Sequence, residues 1–440
     1  MLRKILAIWL CISLSIGLCG CGFFTADTAE LLTPPEPVGD IKPISEVIKK
    51  TATSGYVMKY PSRGDYRSAV IREDIDFDGT FEAFAFYSVT DRDIITMHIN
   101  AICLRNGEWT SVAVQQIVAA GVDKIEFCDL DGDGIKEILV GWQIYGTSEM
   151  QLAVYSLNEN SLTQRMLQKY SHFISCDLDD DGKNEILVLK TGFAEANNTA
   201  SIYELDENGV IESSSCELDR TVKTVNEPIV DTLSNGKPAV YVDILKGVGT
   251  VTEVLFMEKE KLVNPLYNSQ TGETIATLRS VSFGIEDING DGIIEIPVQT
   301  DVPSVIHSDL NEKLYLTNWC SFNGEKLTNQ MTTMINVNDG YYLTLSQKLI
   351  GKIAILKDTE KQVREIYSYN TKKGAVGESL IFLKTVKKSD LDKGKYNNLN
   401  AAEILNRGAD SVICKVSGAA EKYGIDLEYV RNNLKIFEGE

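Results

Sequence analysis

Four nine-residue segments of this chain carry oxygen-bearing side chains at the same positions: residues 74–82 (DIDFDGTFE), 129–137 (DLDGDGIKE), 177–185 (DLDDDGKNE) and 287–295 (DINGDGIIE). They share the pattern Dx[DN]xDGxxE. Side-chain oxygens at positions 1, 3 and 5 of a tight loop converge on one point, a glycine at position 6 permits the turn, position 7 offers a backbone carbonyl, and position 9 closes the shell. Oxygen-only donors in this number suit Ca²⁺, so up to four calcium sites are expected. The side-chain ligands would be Asp74, Asp76, Asp78 and Glu82; Asp129, Asp131, Asp133 and Glu137; Asp177, Asp179, Asp181 and Glu185; and Asp287, Asn289, Asp291 and Glu295. The carbonyls would come from Thr80, Ile135, Lys183 and Ile293. Without a cation, carboxylates about 5 Å apart repel by roughly 3 kcal/mol per pair at an effective dielectric near 20.

The elements that hold these loops are strands. A helix-flanked calcium loop requires Glu at position 12, where this chain has Ala85, Val140, Val188 and Val298. Each loop runs instead into an apolar string at residues 83–87, 138–141, 186–189 and 296–298. Further strand candidates precede the loops at 70–71 and 125–127 and follow them at 153–157 and 200–205. An eroded copy at 231–239 (DTLSNGKPA) reads as a metal-free turn, and the five starting positions are spaced by 55, 48, 54 and 56 residues, the size of one four-stranded unit.

In the loop, the following Glu-Ile-Leu-Val string and the period, the chain resembles FG-GAP or VCBS-type β-propeller repeats, known from integrin α-chain heads and many bacterial surface proteins, over roughly residues 65–335. The resemblance implies a mainly β fold with about five blades. In that family each loop joins the innermost strand of a blade to the next, so the loops would collect on one rim. The other rim would then be built from connections at 143–149, 191–199, 246–250 and 300–310, which offer Tyr145, Phe193, Asp301 and His307 as candidate ligand-binding residues. Residues 336–440 carry no copy of the loop and read as a small α+β domain.

The amino terminus directs the chain outward. Arg3 and Lys4 precede an apolar run over residues 5–19, shorter than the roughly 20 residues a spanning helix needs, and the run ends Leu18-Cys19-Gly20-Cys21. This resembles the lipobox of bacterial lipoproteins and implies a signal peptide over residues 1–20, lipidation of Cys21, and anchoring at the outer face of the cell membrane. Residues 21–52 hold Pro34, Pro35, Pro37 and Pro43 and read as a tether, leaving the propeller over 53–335. Six later cysteines at wide spacing, without a CxxC, read as small buried thiols.

With 43 basic against 63 acidic residues and a net charge of −20, the chain repels phosphate backbones, and nucleic acid is not an expected partner. No GxSxG, HExxH or P-loop occurs, and the only histidines, His98, His172 and His307, read as surface or loop residues. The preferred reading is a surface protein that binds a protein or glycan. Two alternatives stay open: an extracellular propeller glycosidase working with carboxylates gathered from distant loops, and an envelope assembly factor acting through its C-terminal region.

Overall fold

In the computed structural model the described residues are 41–52, 55–91, 94–146, 150–192, 197–206, 209–222, 224–247, 249–279, 283–305 and 314–437. They form a mainly β protein of six antiparallel sheets of four or five strands, with a two-stranded ribbon, Tyr267–Asn268 and Glu273–Thr274, between the fourth and fifth; the strands of each large sheet follow one another closely in sequence except for the last strand of sheet five. Sheet one contains Val70–Glu73, Glu82–Asp91, Ile94–Arg105 and Glu108–Ile117, with Tyr56–Met58 pairing on Glu82–Asp91. Sheet two is Gly121–Cys128, Glu137–Gln143, Met150–Asn158 and Ser161–Tyr170, and sheet three is His172–Cys176, Glu185–Lys190, Thr199–Asp206 and Gly209–Glu217. In sheet four, Thr224–Val225 and Ile229–Thr232 both pair with Pro238–Lys246, followed by Gly249–Glu258 and Lys261–Val263.

Each acidic loop joins the first strand of its sheet to the second in sheets one to three. The second strands are continuous apolar runs because both of their faces are covered. A register shift recurs between the next two strands of sheets one, two, three and five, at Ala101/Ile102, Val154/Tyr155, Ile202/Tyr203 and Trp319/Cys320. A bulge repeated at equivalent places marks these sheets as copies of one unit and sharpens the twist of each.

Consecutive sheets bury their faces against one another. Phe84, Phe86 and Met97 of sheet one meet Ile138, Val140 and Trp142 of sheet two. Leu139 and Val154 meet Ile186 and Val188 of sheet three. The next cores join sheets three and four through Leu187, Ile202, Val240 and Val251, and sheets four and five through Tyr241, Phe256, Ile296 and Phe322.

Two boundaries differ from the sequence reading. Residues Ile41–Thr51, placed in the tether because of their prolines, form a helix, α1. Ile44, Ile48 and Ala52 recur at a helical interval and bury against Ala83, Ala85, Tyr87 and Ile102, on the opposite face of sheet one from sheet two. The described residues do not show a closed ring of sheets; α1 covers the face that ring closure would use. At the other end, sheet five is Ile296–Val302, Leu314–Phe322, Leu327–Asn336 and Tyr341–Thr344, completed by the C-terminal strand Leu434–Ile436. Sheet six (Ile353–Asp358, Val363–Asn370, Ala375–Lys387, Asp410–Val416 and Ala402–Asn406) shares one core with it, from Val302 and Leu316 to Ile381, Val412 and Leu434. The C-terminal hundred residues therefore finish sheet five as well as forming a sheet of their own.

Candidate metal centre

The four loops have one backbone design. Position 4 adopts a left-handed conformation in each (Phe77 φ 55°, Gly132 77°, Asp180 64°, Gly290 79°), as does the glycine at position 6 (Gly79 87°, Gly134 87°, Gly182 91°, Gly292 84°). Two such residues one apart curl the chain around its own acidic side chains. The position 6 N–H donates to the position 1 carboxylate at 2.8–3.1 Å in all four loops. The position 7 N–H of Thr80, Ile135, Lys183 and Ile293 donates to the position 5 carboxylate at 2.6–2.9 Å. The glutamate that opens the second strand reaches back seven residues and accepts the position 2 N–H at 2.8–3.3 Å. Each acidic side chain is thus oriented by a backbone donor before any ion arrives.

Carboxylate oxygens of Asp177, Asp179, Asp181 and Glu185 lie within 4.8 Å of one another, as do those of Asp74, Asp76 and Asp78, and of Asp129, Asp131 and Glu137. Glu82 and Asp133 fall outside these sets. Asp74 Oδ1 is buried without a hydrogen-bond partner, an acceptor that a cation would satisfy. Burial pushes Glu137, Glu185 and Glu295 up to about 7, with the neighbouring aspartates adding to the effect. The donor set is all oxygen and fits a hard cation. The fourth loop is built differently: Asn289 Nδ2 donates to Asp291 Oδ2 and to Glu295 Oε1, both at 3.0 Å, so an amide bridges two of the carboxylates.

The loops touch from sheet to sheet. Lys136 N donates to Ile75 O at 2.8 Å, linking the second loop to the first, and Asn184 N donates to Asp129 O at 3.3 Å, linking the third to the second. The Lys183 stem lies 3.1 Å from where a Cβ on Gly132 would stand, so glycine there serves both the turn and the contact. The first three loops form one continuous acidic rim.

Away from that rim, strand-leading segments from four sheets meet in a cluster of charges that motif reading did not reveal. The Arg63 guanidinium contacts Asp123 at 2.8 Å and Glu227 at 3.2 Å, and the Lys124 ammonium contacts Glu126 at 2.8 Å and Glu227 at 2.7 Å. Tyr170 donates to Asp123 at 2.6 Å. His172 lies beside them; burial, and next the Arg63 charge, pull its imidazole down to about 4, which leaves it neutral at pH 7. His172 and His98 both sit in strands, His98 stacked on Tyr87 with ring centroids 5.1 Å apart, rather than in surface loops.

No family model and no curated protein matches this chain. Among solved structures it is similar to an exotype rhamnogalacturonan lyase (11% identity, 73% of this chain and 83% of that one, TM-score 0.31). It is also similar to a periplasmic gluconolactonase of Pseudomonas aeruginosa (9%, 72% and 86%, TM-score 0.28) and an exo-β-1,3-galactanase of Phanerochaete chrysosporium (11%, 75% and 79%, TM-score 0.24). Likenesses this distant carry no weight for activity.

Of the candidate ligand-binding residues, Tyr145 is 63% exposed in the turn after the second strand of sheet two, and Asp301 is exposed near the end of Ile296–Val302. Phe193 and His307, like the proposed lipidation site Cys21, lie outside the described residues. Cys103, Cys128, Cys176, Cys216, Cys320 and Cys414 are free thiols. No helix among the described residues is long and apolar enough to cross a membrane.

Proposed function

We propose that this chain is a calcium-stabilised, propeller-type surface lipoprotein of the FG-GAP or VCBS kind that binds a protein or glycan partner without transforming it. The observation that carries the reading is where its ionisable groups lie. Its convergent carboxylates are folded into the loops, each oriented by backbone donors, and Asp123, Glu126 and Glu227 are each engaged in an ion pair with Arg63 or Lys124. A glycosidase of the alternative kind needs an opposed pair of carboxyl groups with room for a sugar between them. Exposed aromatic residues, the groups that recognition surfaces favour, lie instead over the outside, at Tyr60, Phe77, Phe81 and Tyr145.

In this reading Ca²⁺ is held by the loop carboxylates and carbonyls and supplies charge neutralisation and rigidity. The lipid on Cys21 tethers the protein to the outer face of the membrane. Two measurements test it. Cys21→Ser is expected to move the protein from the membrane fraction to the exported soluble pool, and retention of the processed variant would contradict the anchor. A combined binding and hydrolysis screen on oligosaccharides is expected to give capture without product; released sugars or unsaturated ends would instead establish an enzyme.

A further inference from the structure

Between α1, the first acidic loop and the turn at Asn106 and Gly107 lies a groove of about 770 Å³, within the roughly 300–1,000 Å³ range of small-ligand clefts. Its floor is an arginine between two aromatic rings. Arg72 Cζ lies 5.3 Å from the Phe81 ring centroid and 5.9 Å from that of Trp109. Such contacts hold both rings in place and leave part of their faces to solvent: Phe81 is 47% exposed and Trp109 half-buried. Phe81 stands at position 8 of its loop, where the other loops have Lys136, Asn184 and Ile294. Of the four loops only the first offers an aromatic ring at this position.

The rim carries both signs of charge, Lys50 and Arg72 against Glu108 and Glu46, the last of which also pairs with Lys49 at 2.8 Å. A polyanion would meet the two carboxylates and a polycation the two cations, so each is opposed by like charge. A purely apolar segment would strip water from four charged groups without replacing its hydrogen bonds. A neutral polyhydroxylated ligand meets neither obstacle. Its hydroxyls donate to Glu46 and Glu108 and accept from Lys50 and Arg72, while the C–H faces of its rings cover Trp109 and Phe81.

We infer that this groove binds an uncharged oligosaccharide, with Trp109 and Phe81 as its stacking platform. The inference rests on the binding-protein reading above and names the ligand class and the place. Because Gly79, Thr80 and Phe81 belong to the first acidic loop, the platform is positioned by the same turn that gathers Asp74, Asp76 and Asp78.

The test uses the processed chain, from Cys21 on and therefore without Trp9, in detergent with calcium, titrated with cellohexaose, laminarihexaose and chitohexaose, and with hexagalacturonate as the anionic comparison. Tryptophan emission is the readout, since Trp142 and Trp319 are 0% and 1% exposed and Trp109 is the accessible indole among the described residues. At least one neutral hexasaccharide is expected to shift the emission and shield it from acrylamide, with hexagalacturonate weaker. Phe81→Ser, which removes a side chain that is about half exposed and ligates no metal, is expected to weaken binding roughly tenfold or more while the calcium-dependent melting is unchanged. Trp109→Ala, followed by calorimetry, is expected to do the same. Absence of binding by all three neutral sugars, stronger binding of hexagalacturonate, or equal affinity in wild type and Phe81→Ser would each overturn the inference. Turnover of a bound sugar would instead contradict the binding-protein reading and leave the groove assigned.

Discussion

Sheets three and four solve the same problem in different ways. In sheet three the turn between the first two strands curls around Asp177, Asp179, Asp181 and Glu185, four carboxylates that converge within 4.8 Å. The corresponding turn of sheet four keeps the frame of that loop and, of its carboxylates, only Asp231. Gly236 retains a φ of 85°, and Lys237 N still donates to Asn235 at position 5, at 3.1 Å. Position 3 is now Leu233, 1% exposed, and position 9 is Ala239, fully buried, and both sit in the core with Phe256 and Phe322. Ser234 N donates to Phe322 O at 2.8 Å, and Asn235 Nδ2 to Asn323 O at 2.9 Å, fastening the turn to sheet five.

Sheet four carries its own internal ions as well. Arg279, with no exposure, pairs with Asp243 at 2.6 Å, donates to Thr252 Oγ1 at 2.9 Å, and gives its Nε–H to the Phe283 carbonyl at 2.9 Å. The difference teaches that the repeat needs its turn pinned, and that a cation, an apolar plug with cross-sheet hydrogen bonds, or a buried ion pair nearby each supplies part of that pinning.

The largest break in this comparison is expected at Arg279. Arg279→Ala leaves the buried Asp243 uncompensated, a loss of about 3–5 kcal/mol. The loss should be the same in calcium and in chelator, as read by denaturant unfolding. Asp179→Ala in sheet three, and Asp131→Ala in sheet two, should behave in the opposite way. Each is expected to lose up to about 2.7 kcal/mol when calcium stands at 100 times its Kd, and to match wild type once calcium is removed. A wild-type melting temperature that chelation does not move would remove the metal from the comparison altogether.

The smallest effect concerns acidity within sheet four. Glu253 is fully buried, its Oε2 has no hydrogen-bond partner, and burial pushes its carboxyl up to about 7. A folded value above the ordinary 4.5 means that its contribution is complete below about pH 4.5 and is lost as the pH rises through 7. Wild type in saturating calcium should therefore lose stability between pH 5 and pH 8, and Glu253→Gln should show a flatter profile over that window. Parallel profiles would assign the pH dependence to other groups.

The acidic loops and the strands beside them were legible because each is local: nine residues fix the turn, and the alternation that follows fixes the strand. Recurrence gave the sheets their order for the same reason. What escaped were features made by distant parts of the chain. Arg63 and Glu227 lie 164 positions apart, and nothing in the residues around either points to the other. Helix α1 was hidden by the prolines before it and by its short apolar stripe, which gains meaning only against Ala83, Ala85 and Ile102 of sheet one. The groove escaped because Arg72, Phe81 and Trp109 come from a strand, a loop and a later strand, and the motif that dominates this stretch directs the eye to Asp74, Asp76 and Asp78. The place of Tyr341–Thr344 in sheet five was likewise invisible, since its outer partner, Leu434–Ile436, lies beyond the whole of sheet six.

That last pairing sets a clock. Sheets one to four are each built from strands near one another in sequence, whereas sheet five takes a strand from beyond the whole of sheet six. Sheet five cannot be complete until Leu434–Ile436 arrive to cover Tyr341–Thr344, and until then that strand offers an open edge of the kind that recruits other chains. Sheet six must therefore fold and dock before that edge is covered, and a truncation before Leu434 would leave Tyr341–Thr344 open to pairing with other chains.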